Sequence, residues 1–456
     1  MVLAPGTNDL VAMRRTLREW IPASAGMTTA GWLRPVGHRH KRLSLTLSRY
    51  PAFMRLQRVI ERYLWIIGNL LVIGLFAIDL SQLRGLRVGD NVMWGRDFLN
   101  LWAGGRLAID GRLDALYDLG RYHDFLQHSF GPLALHIYSY PPTSLLLDWP
   151  FGALPYALAY ALWTIGGALL FWWAARPHLR EAGLPAWLAL ATPAATINLW
   201  AGHFGFLMGA LWLLAFRDLD GRPKRAGLTT ALMAVKPHMA LLIPLLLLRR
   251  HRWATIVVAA AGVAAIVAAS LLAFGAAPWR TYLHATAALE VSTMAMGDQF
   301  FQTMMTTTTV AMHQHALTTP LAGLAQIATA AAALGLLWRA TAGGVPLAQL
   351  CFPAATATFL VLPYAFDYDM TVATLGLMLT LHRRWDALAG WERVVLGAGF
   401  LVPQGGILLA MTGVPLVPVI LLAALVVQLR ADGLLSSLPE REEPGVGSPG
   451  ARAVVS

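Results

Sequence analysis

Cysteine, lysine and acidic residues are all scarce in this chain, and each shortage removes a class of reading. The one cysteine, Cys351, lies inside an apolar run, which excludes an internal disulfide and a cysteine-based metal site. Charged residues make up 13% of the chain against 57% hydrophobic ones, and the mean hydropathy is +0.56, so an ordinary soluble domain is excluded. The chain reads as an all-α polytopic membrane protein. Its net charge of +11 does not point to nucleic acid, because the basic residues stand in short clusters between apolar runs, as in loops held on the cytoplasmic side. No apolar segment follows the early basic residues, so no cleavable signal peptide is expected.

The basic clusters orient the spans. Residues 1–58 lack helical apolar periodicity and are expected to be a disordered, basic cytoplasmic arm. Within it, IPASAGMT resembles translated repeat DNA, which makes Met27 and Met54 alternative starts. Arg55, Arg58 and Arg62 put the start of a first span, Tyr63 to Leu80, in the cytoplasm. The loop 81–142 is then extracytoplasmic. Further spans are expected over Tyr156–Ala175, Pro185–Phe216 (turning near NLWAGHFG), Trp253–Phe274, Leu317–Trp338, Val345–Leu362, Val372–Leu381, Val394–Met411 and Val414–Gln428. Arg217–Arg225 and Arg249–Arg252 are both basic, so the run between them is expected to be a helical hairpin broken at Lys236-Pro237-His238. The membrane domain is placed at 59–430, with about twelve passes, a second extracytoplasmic loop at 275–315, and a disordered cytoplasmic tail at 431–456. Both termini are expected inside, in a bacterial inner membrane.

Ionisable groups at the outer ends of spans are functional candidates, since polar groups at membrane depth are costly unless paired or facing a wet cavity. The loop 81–142 holds Arg96, Asp97 and Arg106 and, near its end, Tyr140, the turn NLWAGHFG holds His203, and the late turn LPYAFDYDM holds Asp367 and Asp369. Lys236, one of three lysines, is the one embedded between apolar segments. Asp97 opens a stretch, Asp97 to Ile109, with the periodicity of an amphipathic helix lying along a membrane surface. A carboxylate there has two readings, a helix cap or a chemical group. His203 reads as a structural histidine ahead of a ligand and Tyr140-Pro141-Pro142 as a rigid turn ahead of a contact, while Lys236 is equally a snorkelling residue or a ligand. Asp367 and Asp369 flank Tyr368, so only one is expected to face a cavity. Trp94, Phe98 and Trp102 are placed at the lipid interface. No metal site is expected, since two carboxylates without further ligands are a weak cation site.

Four segments, GRDFLNLWAGGRLAIDGRLDALYD, YSYPPTSLLLDWPFGALP, AVKPHMALLIPLLLLRRHRW and LPYAFDYDM, resemble, in order, glycosyltransferase family 87. These are GT-C enzymes related to polyprenol-phosphate-mannose-dependent mannosyltransferases. Where the family often has Gly-Gln, this chain has Gly202-His203, and where it often has Lys-Pro-Gln, it has Lys236-Pro237-His238. The late turn, which carries His in mannosyltransferase relatives, here carries Asp367-Tyr368-Asp369. The resemblance implies a GT-C-type fold and an inverting hexosyltransferase of the cell envelope, mannose being the first expectation. It implies a polyprenyl-phosphate sugar donor as co-substrate, no separate cofactor, a lipid or glycan acceptor on the extracytoplasmic face, and Asp97 as the general base. Arg96, Arg106, Tyr140, His203, Lys236, Asp367 and Asp369 are then the substrate-binding residues. The alternative is a polytopic transporter or lipid-sugar flippase. The Lys236-Pro237 break favours it, whereas the absence of a visible repeat between the halves does not.

Overall fold

The computed structural model describes residues 51–286, 300–313, 318–342 and 344–435. The expected disordered character of residues 1–50 and 436–456 lies outside these, as do residues 287–299 and 314–315 of the loop 275–315. Helix α1, Pro51–Ser81, begins within the stretch assigned to the arm, so Arg55 and Arg58 belong to the same continuous helix as the first span. Three two-residue strands follow, β1 Leu83–Arg84, β2 Arg87–Val88 and β3 Val92–Met93, paired antiparallel in that order. The first half then runs through α2 Phe98–Ile109, α3 Leu119–Phe130, α4 Leu145–Gly152 and α5 Tyr156–Glu181. Next come α6 Pro193–Ala201, α7 Gly205–Asp218, α8 Pro223–Leu232, α9 Leu242–Arg249, α10 Trp253–Phe274 and α11 Ala277–Thr281. The second half holds α12 Phe300–Thr303, α13 Thr308–His313, α14 Thr319–Ala342, α15 Cys351–Val361, α16 Thr371–Arg384, α17 Gly390–Met411 and α18 Val417–Ala431.

Among the described residues five helices are long and apolar enough to cross a membrane: α1 from Arg55, α5, α10, α14 and α17. The other segments of the expected twelve passes are shorter. The block Pro185–Phe216 is a 3₁₀ turn followed by α6 and α7, nine and fourteen residues long, which at ~1.5 Å per residue are each well short of a ~30 Å hydrocarbon core. Lys236 does break the following run: its φ of −144° and ψ of 69° separate two 3₁₀ turns, as Pro237 disfavours a helical residue before it.

The core is centred on α16, where every residue from Thr371 to Leu381 is buried. A membrane bundle gains little from the hydrophobic effect between its helices, so polar side chains and close packing supply much of the cohesion. Asn69 of α1 accepts a 2.6 Å hydrogen bond from Thr196 of α6, and Gln404 of α17 accepts the backbone N–H of Val72 at 3.1 Å and donates to Thr196 at 3.2 Å.

Helix α2 corrects one expectation. It is not an amphipathic helix on a surface, for eight of its twelve residues are buried, Asn100 among them. Asn100 accepts from the Tyr122 hydroxyl at 2.9 Å. Gly105 of α2 and Gly152 of α4 bring the two backbones into contact, and a Cβ on either would collide with main-chain atoms of the other helix. Gly105→Ala is therefore expected to cost about 1–3 kcal/mol through overpacking, read as a lower unfolding temperature in detergent.

Candidate active site

Three turns meet at the Asp97 end of α2. The first is the entry to α2 itself. Gly95 and Arg96 both have left-handed backbones, φ 84° and 37°, and a side chain at Gly95 would overlap the Tyr160 ring. The second turn ends α6 at Gly202, left-handed at φ 67°, as helix ends with glycine commonly are. Its carbonyls hold the first turn and α5 in register. The Asp97 N–H donates to Ala201 O at 3.0 Å, the Tyr160 hydroxyl to Leu199 O at 3.0 Å, and Trp163 Nε1 to Gly202 O at 2.9 Å. The third turn is Asp367–Met370, whose Tyr368 carbonyl packs directly on Gly205, leaving no room there for a Cβ.

Asp97 stands at the N-cap position of α2 but does not cap it. Its backbone is already helical, at φ −71° and ψ −22°, and its side chain accepts no bond from the helix. Among the described residues its carboxylate has no hydrogen-bond or ion-pair partner, and it is only partly buried. Burial raises this carboxyl to about 6, opposed by the positive charges of Arg96 and Lys236 and assisted by the negative charge of Asp369.

Behind it lies a buried polar row. Lys236 Nζ donates to Asp369 Oδ2 at 2.5 Å and lies 3.5 Å from His203 Nδ1. His203 Nε2 is 2.8 Å from the Tyr140 hydroxyl. The imidazole stacks on Tyr368 at 4.0 Å between ring centres, and Lys236 stands 5.4 Å from that same ring. Burial raises the Asp369 carboxyl, with the Lys236 charge working against it. Burial and the neighbouring Lys236 and His238 hold the His203 imidazole well below its ordinary range.

Of the residues singled out from the sequence, Asp97, Tyr140, His203, Lys236 and Asp369 come together. The two late acids differ, as their spacing implies. Asp369 carries the ion pair, whereas Asp367 is buried to 1% exposure with no side-chain partner among the described residues, and burial raises its carboxyl well above the ordinary range against the opposing backbone N–H groups of Tyr368 and Asp367. Arg96 is adjacent to the row but engaged elsewhere: its guanidinium makes 2.7 and 2.9 Å bonds to both oxygens of Asp79 and stacks 4.1 Å from the Trp200 ring. Arg106 is not part of the group. It lies near the far end of α2, ion-paired at 3.2 Å with Asp110. Phe98 is fully buried against Tyr156 and Tyr160 rather than at a lipid interface.

Two acids escaped the sequence reading. Asp79 fixes Arg96 and accepts from Trp200 Nε1 at 2.9 Å; as the lone acid in the apolar run Tyr63 to Leu80, it carried a signal. Asp148 of α4 is fully buried and accepts from Tyr138 at 2.6 Å and Ser144 at 3.2 Å, bracing the segment that leads to Tyr140. No group of three or more His, Cys, Asp or Glu suited to a metal occurs among the described residues.

An unpaired carboxylate with a raised pKa, beside an ammonium and several hydroxyl and imidazole groups, can accept a proton while an anion is stabilised close by. Residues 138–363 match the family model described as glycosyltransferase family 87, which indicates a glycosyltransferase. The matched segment contains Tyr140, His203 and Lys236; Asp97 precedes it, and Asp367 and Asp369 follow it. No curated protein and no solved structure gives a significant match.

Proposed function

From the premise that residues 138–363 of this membrane protein match glycosyltransferase family 87, we propose an inverting hexosyltransfer from a polyprenyl-phosphate sugar to a lipid or glycan hydroxyl. Mannose is the first sugar to test. The observation that carries the reading is the Asp97 carboxylate, without a partner among the described residues and facing the field of the Lys236–Asp369 pair.

In the proposed step the acceptor hydroxyl gives its proton to Asp97 as its oxygen bonds to the anomeric carbon from the face opposite the phosphate. The bond from that carbon to the phosphate oxygen breaks, and the lipid phosphate leaves with the electron pair. A phosphate is a stable anion, so no second carboxyl is needed as an acid, in contrast to glycosidases that expel an alcohol. Lys236, whose Nζ is held by Asp369, is assigned to meet through its charge the negative charge that develops on the leaving oxygen, since that charge reaches the Asp97 carboxyl. Arg96, whose Nη2 already donates to both oxygens of Asp79, is assigned instead to holding the Asp97 turn. The site is assigned to the extracytoplasmic side, since the loop holding Asp97 follows a span whose start is flanked by Arg55, Arg58 and Arg62.

The test is to incubate membranes containing the protein with labelled polyprenyl-phosphate hexoses and identify the glycosylated product. Movement of the labelled lipid across the bilayer with no covalent transfer would replace this reading with a transporter. The base must be ionised to act, so kcat/KM is expected to fall as pH drops through about 6 and to level off above it. A profile flat from pH 5 to 8 would remove Asp97 from the role.

A further inference from the structure

We infer that His203 works as a neutral relay that fixes the Tyr140 hydroxyl as a hydrogen-bond donor toward an oxygen of the bound sugar-phosphate lipid. The inference rests on the transferase reading above and adds direction to the buried row behind Asp97.

The direction follows from donor and acceptor bookkeeping. A lysine ammonium donates and cannot accept. It lies 3.5 Å from His203 Nδ1, while the nearest carboxylate oxygen, Asp369 Oδ1, is 3.8 Å from that nitrogen, beyond hydrogen-bond reach. A proton on Nδ1 would thus face a positive charge with no acceptor in range, so Nδ1 carries the lone pair. The imidazole is neutral, since burial and the Lys236 charge both oppose protonation. Its single proton is on Nε2, and Nε2–H donates to the Tyr140 oxygen 2.8 Å away. The Tyr140 proton is then directed away from His203. The negative charges of Asp97, Asp148 and Asp369 all act on that hydroxyl, and we assign its donor direction to the substrate oxygens that meet the base. The imidazole is held in plane by its stacking on Tyr368, and the Tyr140 carbonyl accepts from the Tyr117 hydroxyl at 2.8 Å, so both partners are fixed. In this scheme Tyr140 touches substrate, and His203 is a positioning residue.

Glutamine provides the discriminating substitution. Its amide oxygen can accept from Lys236 while its NH₂ donates to Tyr140, reproducing the polarity without a titratable group. With sugar transfer from the labelled donor as readout, His203→Leu and Tyr140→Phe are each expected to lose roughly 10- to 100-fold in kcat/KM, the cost of one hydrogen bond to a charged group. His203→Gln is expected to recover most of the loss seen in His203→Leu. If His203→Leu does not fold, His203→Asn serves in its place, its shorter amide being unable to span both partners. A folded His203→Gln as inactive as the leucine or asparagine variant would overturn the relay and make His203 an acid or base. A second readout is independent of catalysis: the ¹⁵N imidazole signal lost between wild type and His203→Gln is expected to be that of a neutral Nε2–H ring at pH 7. An Nδ1–H ring or an imidazolium would overturn the inference. Wild-type membranes that transfer no hexose would refute the transferase reading instead, and the NMR measurement would still decide the relay.

Discussion

Asp97→Asn is expected to lower sugar transfer by roughly 10²- to 10⁴-fold while leaving the protein folded in the membrane. The two side chains have the same shape, and the backbone bond that fixes this position, from the Asp97 N–H to Ala201 O, does not involve the side chain. The helix loses nothing, because Asp97 makes no side-chain cap bond to begin with. What disappears is a proton acceptor whose carboxyl is raised to about 6, so the residual activity should also lose its acidic limb. The measurement is turnover of a labelled polyprenyl-phosphate hexose by matched amounts of wild type and variant. Wild-type rates from the asparagine form would leave the proposed base without a function.

Lys236→Met is expected to have two separable effects. Activity should drop by roughly 10²- to 10³-fold, the scale of losing one group aimed at developing charge. Stability should fall by about 3–5 kcal/mol, because the variant strands the buried carboxylate of Asp369 that Lys236 holds at 2.5 Å. The double variant Lys236→Met/Asp369→Asn removes that stranded charge. It is expected to regain much of the unfolding temperature without regaining transfer. Full activity in the double variant would show that the pair serves structure alone and that the leaving phosphate finds its cation elsewhere.

Parts of this arrangement were legible in the residues before any coordinates. Pro237 after a lone lysine between apolar segments marks a break, and the structure breaks there. Gly202 within NLWAGHFG marks a turn, and the chain turns there in a left-handed conformation. The apolar run Trp253 to Phe274 has the same limits as its helix. These are local signals, set by backbone sterics and by the length of an uninterrupted apolar segment. The reading of α2 was wrong for an equally physical reason. Its periodicity suggested one buried face, but Gly104 and Gly105 remove the side chains that would have kept α4 and Tyr138 at a distance, so a second face is covered as well. Asp79 and Asp148 are not legible as site residues in sequence, because an acid near the end of an apolar run looks solvated until a partner arrives from elsewhere in the chain.

Sequence alone determined the solvent in which this protein folds, the positions of its turns, and the set of side chains too polar for their surroundings to be idle. Hydropathy, proline and glycine act over a few residues, so no alignment of distant parts is needed to read them. Tertiary structure decided which of those side chains satisfy one another. Lys236 takes Asp369 from 133 positions away, Arg96 takes Asp79, and Asp97 is left with no partner among the described residues. A charge in a medium of low dielectric is governed by its nearest neighbours in space, and those are fixed only when the helices pack.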